Sequence, residues 1–187
     1  VVGIVSGDRF LRCEGLGNEV PFFIAPFQAQ EGQILDGFVR KLRERLQQQG
    51  VAVTHVNLYD LTLGLLEERG ILETVLEREP DLDKDELKEL LQNVLDMENH
   101  FVPAIQERVG AEATAMLLLT GVGEVFPYIR SHNLLNNLQK AVRDRPTVMF
   151  FPGKYQQSLE TGASLNLFER LGDDRYYRAF HLFHCQP

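Results

Sequence analysis

The chain is poor in the residues that disulfide-bonded, zinc-binding and membrane-spanning folds require. Its 187 residues include no Trp and only two cysteines, Cys13 and Cys185, which form no C-x-x-C pair. This pattern argues against a disulfide framework and a cysteine-based zinc site, so a reducing cytoplasm is the expected compartment. No apolar run approaches the roughly 20 residues that cross a bilayer, and we expect no membrane association.

An initiator Met is also missing. Because the chain opens on Val1, we expect its natural form to begin earlier. A chain of this length can bury one sizeable core, and we predict a single domain over residues 1–187.

Positive charge is scarce as well. The chain has 19 Lys and Arg against 27 Asp and Glu, a net charge of -8. Residues 60–96 contain 12 acidic and 4 basic residues, so this segment carries the whole excess. Phosphate-backbone binding needs a positive surface, and we expect no direct nucleic-acid partner. The acidic segment is interpreted either as solvated helix faces or as a docking surface for a basic partner, with Glu86 and Glu89 as contacts.

Apolar periodicity predicts an α/β fold. Five segments are typical of strands, namely 21–27, 51–59, 115–119, 147–151 and 176–183. Helices are predicted at 31–49, from a cap at Asp60 through 70–95 with a capping pair at Asp83 and Glu86, at 99–109, from Pro127, and at 165–171. This alternation indicates three layers, with a mainly parallel sheet of about five strands covered by helices on both faces. Residues 60–109 hold more helices than one crossover needs and are predicted to be an acidic helical insertion.

A glycine turn follows the most apolar strand, at Thr120-Gly121-Val122-Gly123-Glu124. In a parallel sheet, ligands gather at the carboxyl ends of the strands, so Thr120, Gly121, Gly123 and Glu124 form a candidate ligand site. The turn fails the dinucleotide pattern G-x-G-x-x-G, because Phe126 occupies the third glycine position. Ordinary turn geometry explains both glycines. A degenerate phosphate site in a nucleotide-binding or nucleotide-sensing module is the alternative.

The P-loop pattern is missing elsewhere too. The chain's Gly-Lys pair, Gly153-Lys154, is followed by Tyr155 where G-x-x-x-x-G-K-[ST] needs Ser or Thr. ATP hydrolysis by the P-loop mechanism is therefore not expected, and no cofactor is predicted.

The helix predicted from Pro127 carries an unusual set of polar side chains. They are Arg130, His132, Asn133, Asn136 and Asn137. Asn is a poor helix former, and three within five residues cost about 1 kcal/mol or more, which suggests that the amides have partners. Three kinds of partner are considered: loops at the carboxyl edge of the sheet, another protein, and a small molecule.

Signals for catalysis and metal binding are weak. Glu124, Arg130 and His132 lie near strand ends, but no spacing pairs a nucleophile with its base. His181 and His184 would point to opposite faces of a strand and could not share one metal. No catalytic residue and no metal ligand is assigned.

Six strings in the chain are distinctive. They are Arg9-Phe-Leu-Arg-x-Glu-Gly-Leu-Gly-Asn-Glu-Val-Pro-Phe22, Asn57-Leu-Tyr-Asp60, Leu119-Thr-Gly-Val-Gly-Glu124, Tyr128-Ile-Arg-Ser-His-Asn-Leu-Leu-Asn-Asn-Leu138, Phe151-Pro-Gly-Lys-Tyr155 and Tyr176-Tyr-Arg-Ala-Phe180. Together they resemble the BrxB family of BREX, the bacteriophage exclusion systems of bacteria and archaea. The similarity spans nearly the whole chain and departs from the family at the front, where a few apolar residues replace a leading helix.

The resemblance implies a small cytoplasmic component of an operon that also encodes a DNA adenine methyltransferase, a large ATPase and PglZ, an alkaline-phosphatase-like protein. BrxB proteins are needed for defence and for methylation of host DNA, and no enzymatic activity is assigned to them. A core like that of P-loop ATPases without the Walker A loop fits the sequence. We therefore predict a non-catalytic assembly or adaptor subunit that docks onto another BREX protein, with PglZ as the first choice and the methyltransferase or ATPase as others.

Overall fold

The computed structural model describes residues 1–14, 20–111, 114–158, 162–173 and 179–185. Its strands are Phe22–Phe27 (β1), Val53–Asn57 (β2), Met116–Thr120 (β3), Thr147–Ser158 (β4), Gly162–Leu167 (β5), Leu171–Asp173 (β6) and Phe180–His181 (β7). Five of them form a parallel sheet in the order β2-β3-β4-β1-β7. The far half of β4 pairs antiparallel with β5, which in turn pairs antiparallel with β6. The predicted α/β class and mainly parallel sheet are confirmed.

Helices connect most of the parallel strands. Their bounds are Val2–Val5 (α1), Asp8–Leu11 (α2), Gly32–Gln48 (α3), Leu58–Glu68 (α4), Leu72–Arg78 (α5), Lys84–Leu95 (α6), Val102–Gly110 (α7) and Ser131–Ala141 (α8). One π-helical turn, Met97–Phe101, joins α6 to α7. Across the described ranges, no helix is both long enough and apolar enough to cross a membrane.

Both faces of the sheet carry apolar side chains, because successive side chains of a strand point to opposite sides. Helices cover both faces. In β1, Phe22 and Ile24 lie in one hydrophobic cluster, whereas Phe23 and Ala25 lie in the other. The first cluster is completed by residues of α4 to α8, and the second by residues of α3 and α1. All of β3 is buried, as expected for a parallel sheet with helices on both faces.

The connections that leave β1 and β3 pass over opposite faces of this sheet. From β1 the chain continues into α3, which belongs to the second cluster, and from β3 it continues into α8, which belongs to the first. Connections that diverge in this way open a crevice at the carboxyl edge of a parallel sheet, where ligand sites usually lie. The predicted site at the end of β3 is located at this edge.

The chain between β2 and β3 consists of the helices α4 to α7, and most apolar side chains in its middle part are only partly buried against the first cluster. Val75 is the buried residue of α5 and Leu95 that of α6. The capping pair predicted at the start of α6 is confirmed, since the Asp83 N–H donates to the Glu86 carboxylate and the Glu86 N–H donates to the Asp83 carboxylate, both at 2.9 Å. The Arg69 guanidinium donates to the Val94 carbonyl and ties α4 to α6.

The prediction for residues 152–171 was wrong. A loop and a short helix at 165–171 were expected, but β4 continues past Pro152 and forms a hairpin with β5 and β6. Gly153 makes this continuation possible, because its φ of 150° lies in a region that side chains rarely adopt. A Cβ at this position would overlap the Asn166 carbonyl oxygen. The apolar spacing of Leu165 and Leu167 is that of a strand with one buried face, not of a helix.

Three further boundaries differ from the predictions. Asn57, not Asp60, caps α4, because the Asn57 side chain accepts hydrogen bonds from the backbone N–H groups of Tyr59 and Asp60. The helix expected from Pro127 begins at Ser131, and Pro127 follows a cis peptide bond.

Of the last predicted strand, 176–183, residues 176–178 lie outside the described residues. Its described part forms a strand at Phe180–His181 and then a 3-10 turn at Leu182–His184.

Substituting Ala for Gly153 should destabilise the protein by about 2 kcal/mol, because the backbone conformation is unsuitable for a side chain and Asn166 leaves no room. Urea unfolding measures the loss. Gly37, in the middle of α3 with open space around it, is the matched control. Ala at Gly37 should stabilise by about 0.5 kcal/mol, and equal effects at both positions would contradict this account of the hairpin.

Candidate functional site

A small cavity lies at the carboxyl edge of the sheet, where the segments after β1 and β3 meet the end of β2, the middle of β4 and the β5–β6 turn. Its volume is about 240 Å³. Residues around it include Phe27, Gly32, Asn57, Thr120, Gly121, Gly123, Glu124, Pro152 and Phe168. Four predicted ligand residues therefore do lie together. The cavity is smaller than the roughly 300–1,000 Å³ typical of small-molecule sites.

The glycine turn is locked against the start of α4. Gly121 has a φ of 78°, and a Cβ on it would lie 2.5 Å from the Asn57 side-chain oxygen and 3.0 Å from the Leu58 backbone nitrogen. That Asn57 oxygen accepts the Tyr59 N–H at 2.9 Å. Gly121 thus allows the loop after β3 to approach a capped helix end, and this packing explains the glycine without a phosphate.

The Thr120 side chain also contacts a neighbouring element of the fold. Its hydroxyl lies 2.9 Å from Nε2 of His55, which extends from the adjacent strand β2. Partial burial lowers the pKa of His55, and the charge of Arg43 lowers it further, while Asp36 and Asp60 act in the opposite direction. A neutral imidazole is therefore favoured at neutral pH.

The mouth of the cavity is acidic. Glu124 shares an adjoining open groove with Asp36 and Asp60, and its pKa is raised, first by burial and then by these two negative charges. A cluster of carboxylates repels the phosphates of a nucleotide. The nucleotide-binding alternative stays a prediction, and the charge and volume of this cavity give it no support.

Gly123 and the β5–β6 turn close the other side of the cavity. A Cβ on Gly123 would lie 2.8 Å from the ring of Phe168 and 3.1 Å from Pro152. Lys154 and Glu169 form an ion pair of 2.7 Å across the hairpin beside them. The string Phe151-Pro-Gly-Lys-Tyr155 therefore positions the hairpin over the glycine turn.

The polar side chains of α8 are divided between the interior and the surface. His132 is buried with 5 % exposure, whereas Asn133 and Asn136 are exposed. The Asn137 amide donates to the Asn133 carbonyl at 2.9 Å within the same helix. This bond lies within the helix, so it does not support the interpretation of the amides as anchors of carboxyl-edge loops. The exposure of Asn133 and Asn136 is compatible with a protein interface.

Arg130 lies in a second cavity of about 250 Å³ between the start of α8 and the hairpin. Arg170 and the side chains of Phe126 and Leu167 line the same cavity. Glu124, Arg130 and His132, which the sequence placed near strand ends, thus do not share one cavity. Among the described residues, no group of three His, Cys, Asp or Glu side chains is arranged to hold a metal ion.

The two acidic contacts predicted on the insertion differ in their roles. Both Glu86 and Glu89 are exposed on α6. Glu86 is part of the capping box and so helps to begin the helix, whereas no hydrogen bond of the Glu89 side chain is present in the described part of the chain. Together with these two, the segment from the end of α4 through α6 carries ten exposed acidic residues, at 67, 68, 73, 77, 79, 81, 83, 85, 86 and 89. They are called the acidic surface below.

Sequence reasoning missed several residues of the carboxyl edge. Asn57 was noticed within Asn-Leu-Tyr-Asp, and its position between a strand and a helix is a recognisable cap signal. His55, Asp36 and Phe168 carry no local signal for a site, because they lie inside segments predicted as a strand and as helices. Their placement depends on how α3 and the hairpin pack onto the sheet, which local spacing does not encode.

Comparisons with known proteins agree with the resemblance. The family described as "BREX protein BrxB" matches residues 54–182. The chain is 37% identical over 182 residues to BREX protein BrxB of Bacillus cereus (strain H3081.97), covering 95% of this chain and 91% of that protein. It is 32% identical over 179 residues to BREX protein BrxB of Escherichia coli O9:H4 (strain HS), covering 95% and 86%. No solved structure matches the chain.

Removing the Asn57 cap should cost about 1 kcal/mol of unfolding free energy, because Ala leaves two backbone N–H groups of α4 without an acceptor. Asn57→Asp keeps an acceptor oxygen and is the matched control. Chemical denaturation of both variants measures the difference, and equal stabilities would show that the cap contributes nothing.

Stability should fall as the pH drops from about 7.5 to about 5.5, because His55 has a lower pKa when folded than its unfolded value of about 6.5. The unfolded state then binds more protons, so the stabilisation present above pH 6.5 is lost at lower pH. His181 contributes in the same direction. Thermal unfolding of His55→Gln should show a shallower dependence over this range, and an unchanged slope would contradict the assignment.

Proposed function

The chain belongs to the BrxB family of BREX proteins, which implies a role in BREX phage defence, and we propose that it acts there as a non-catalytic assembly subunit. In this role it docks onto another BREX component, provides a binding surface and catalyses no reaction itself. The acidic surface defined above is the feature that carries the proposal.

The acidic surface is available for a partner because its charges are little used within the protein. All ten of its acidic residues are exposed. Within the described ranges, one ion pair, Lys88–Asp85 at 3.5 Å, involves them. Surface pairs of this kind contribute little to stability. Such a concentration of unneutralised carboxylates favours fast and selective association with a basic surface.

PglZ is the first partner to test, because the resemblance places it in the same operon. The methyltransferase and the large ATPase are the other candidates. Asn133 and Asn136 on α8, and Arg130 at its start, are exposed polar residues that we assign to a second part of the interface. His132 is buried and the Asn137 side chain bonds within α8, so we assign both residues to the stability of that helix and not to contacts with the partner.

We also propose that the core is related to that of P-loop ATPases but has lost the phosphate loop. A P-loop joins a strand to the following helix. Here the connection from β1 to α3 contains the 3-10 turn Ala29–Glu31, and the connection from β3 to α8 contains the glycine turn. Neither has the G-K-[ST] sequence that binds phosphate. Such a core gives rigid support for docking surfaces without hydrolysis.

Co-purification with each BREX component, followed by affinity measurement at low and high salt, tests the docking proposal. The double variant Glu86→Gln, Glu89→Lys should bind about tenfold more weakly, mainly through a slower association rate. Gln is used at position 86 because it preserves the capping geometry, so the helix still begins correctly.

Asp8→Lys, which raises the net charge by two units against three for the double variant, is the control for overall charge, because Asp8 lies on α2 next to the second hydrophobic cluster, on the opposite side of the sheet from α6. This variant should bind as tightly as the unmodified protein. If none of the three components associates with the protein, the assembly role is wrong. If one associates but the double variant binds it as tightly as the unmodified protein, or no more weakly than Asp8→Lys does, the acidic surface is not the docking site.

A further inference from the structure

The second cavity, between the start of α8 and the β5–β6 hairpin, has a mainly apolar lining. It is called the arginine cavity below, because Arg130 and Arg170 border it. Its apolar residues are Phe126, Phe151, Leu165, Leu167 and Leu171. Leu165 and Leu167 alternate along β5, so their side chains point to the same face, and Leu171 pairs with Leu167 across the hairpin. Because Leu171 is 44 % exposed, apolar surface at this cavity is open to a ligand.

The polar part of the lining is positively charged. Arg130 is the residue that precedes α8, and Arg170 lies in the turn between β5 and β6. Together with Ser131 they complete the described lining, which contains no Asp or Glu. Both arginines are exposed, and neither forms an ion pair with another described residue. Two guanidinium groups at the border of an apolar cavity attract a ligand that carries an anionic group.

The acidic residues nearby do not cancel this positive charge. Glu169 precedes Arg170 and pairs with Lys154 at 2.7 Å. Asp173 lies at the end of β6, where its backbone pairs with Leu165, and it is one acidic residue against two arginines. The arginine cavity therefore differs from the cavity at the carboxyl edge, whose mouth adjoins a cluster of carboxylates.

The volume and the lining together limit what can bind. About 250 Å³ is below the roughly 300–1,000 Å³ of sites for drug-sized ligands, so the apolar part of a ligand can be about as large as one large side chain. Guanidinium groups bind both carboxylates and phosphates through paired hydrogen bonds. A carboxylate suits this cavity better, because it carries less charge than a phosphate and loses less hydration beside a mainly apolar surface.

We propose that the arginine cavity binds a small amphipathic carboxylate, in which an apolar group the size of one side chain carries the anionic group. The apolar group packs against the leucines of the hairpin, and the carboxylate accepts hydrogen bonds from Arg130 and Arg170. Two sources have this chemistry. One is a free organic acid, and the other is the last residue of a protein chain, which combines an apolar side chain with the terminal carboxylate.

This site does not depend on the acidic surface. It shares Arg130 with the second part of the proposed interface, so a chain end supplied by a BREX partner would place the arginine cavity within that interface. A free organic acid would bind whether or not a partner is docked.

A purely structural role for the two arginines makes a different prediction. Arg side chains often cover apolar surface with their methylene groups while the charged end stays in water. In that case, replacing either arginine with Gln should lower the free energy of unfolding and leave carboxylate binding unchanged.

The first probe is 3-phenylpropionate, titrated into isotopically labelled protein and observed by NMR. We expect chemical-shift changes centred on the Ser131 and Leu171 amides. The neutral 3-phenylpropanamide, which has the same shape without the charge, should bind about tenfold more weakly. Arg130→Gln and Arg170→Gln should each weaken the binding of 3-phenylpropionate by a similar factor.

Lys140→Gln is the matched control, since Lys140 is an exposed residue of α8 outside the cavity and its loss also removes one positive charge. This variant should bind the probe normally. No response at Ser131 and Leu171, equal binding of the amide, or unchanged affinity in both arginine variants would overturn the proposal. Tighter binding of phenyl phosphate would overturn the choice of a carboxylate.

A short Gly-Ser peptide that ends in Phe distinguishes the two sources. If the ligand is a chain end, the peptide with a free carboxylate should bind more tightly than 3-phenylpropionate, and amidation of its end should remove the gain. If the ligand is a free acid, the peptide should bind no more tightly. Probe binding without any associated BREX component would leave this inference intact and reject the assembly role alone. Association of a component without probe binding would reject this inference alone.

Discussion

Burial of the parallel sheet on both faces is the constraint on which the other features of this protein depend. Parallel strands need crossover connections, and their exposed apolar faces need helices. Here α3 covers one face, and α4 to α8 cover the other. The interior is consequently mainly apolar, and polar side chains are concentrated at the carboxyl edge and on the outer surfaces of the helices.

At the carboxyl edge, the conspicuous polar residues are used mainly to join elements of the fold. Asn57 caps α4 against Gly121, Thr120 bonds to His55, and Gly123 packs beneath Phe168. Each of these contacts satisfies a buried polar group or permits a close approach that a larger residue would block. At these positions, packing and helix capping explain the strings that carry the family resemblance.

Features that depend on local spacing could be predicted from the sequence. The buried strand β3, the helix α3 ending before Gly50 and the capping box of Asp83 and Glu86 were all predicted this way. The hairpin after Pro152 could not be predicted, because it requires Gly153 to adopt a conformation that becomes necessary only when β5 pairs with β4. Similarly, the pKa of His55 is lowered first by burial and then by the charge of Arg43 on α3, and no sequence pattern links His55 to that helix.

The charges on the two sides of the sheet are balanced differently. On the α3 side, Arg40 and Arg43 line open grooves together with the carboxylates of Asp36, Glu44, Asp60 and Glu124, so positive and negative charges offset each other. On the other side, the ten carboxylates of the acidic surface belong to a segment, residues 60–96, that contains only four basic residues. The excess negative charge there must be balanced by solvent ions or by a basic partner, and complementary charge would select such a partner mainly through the rate of association.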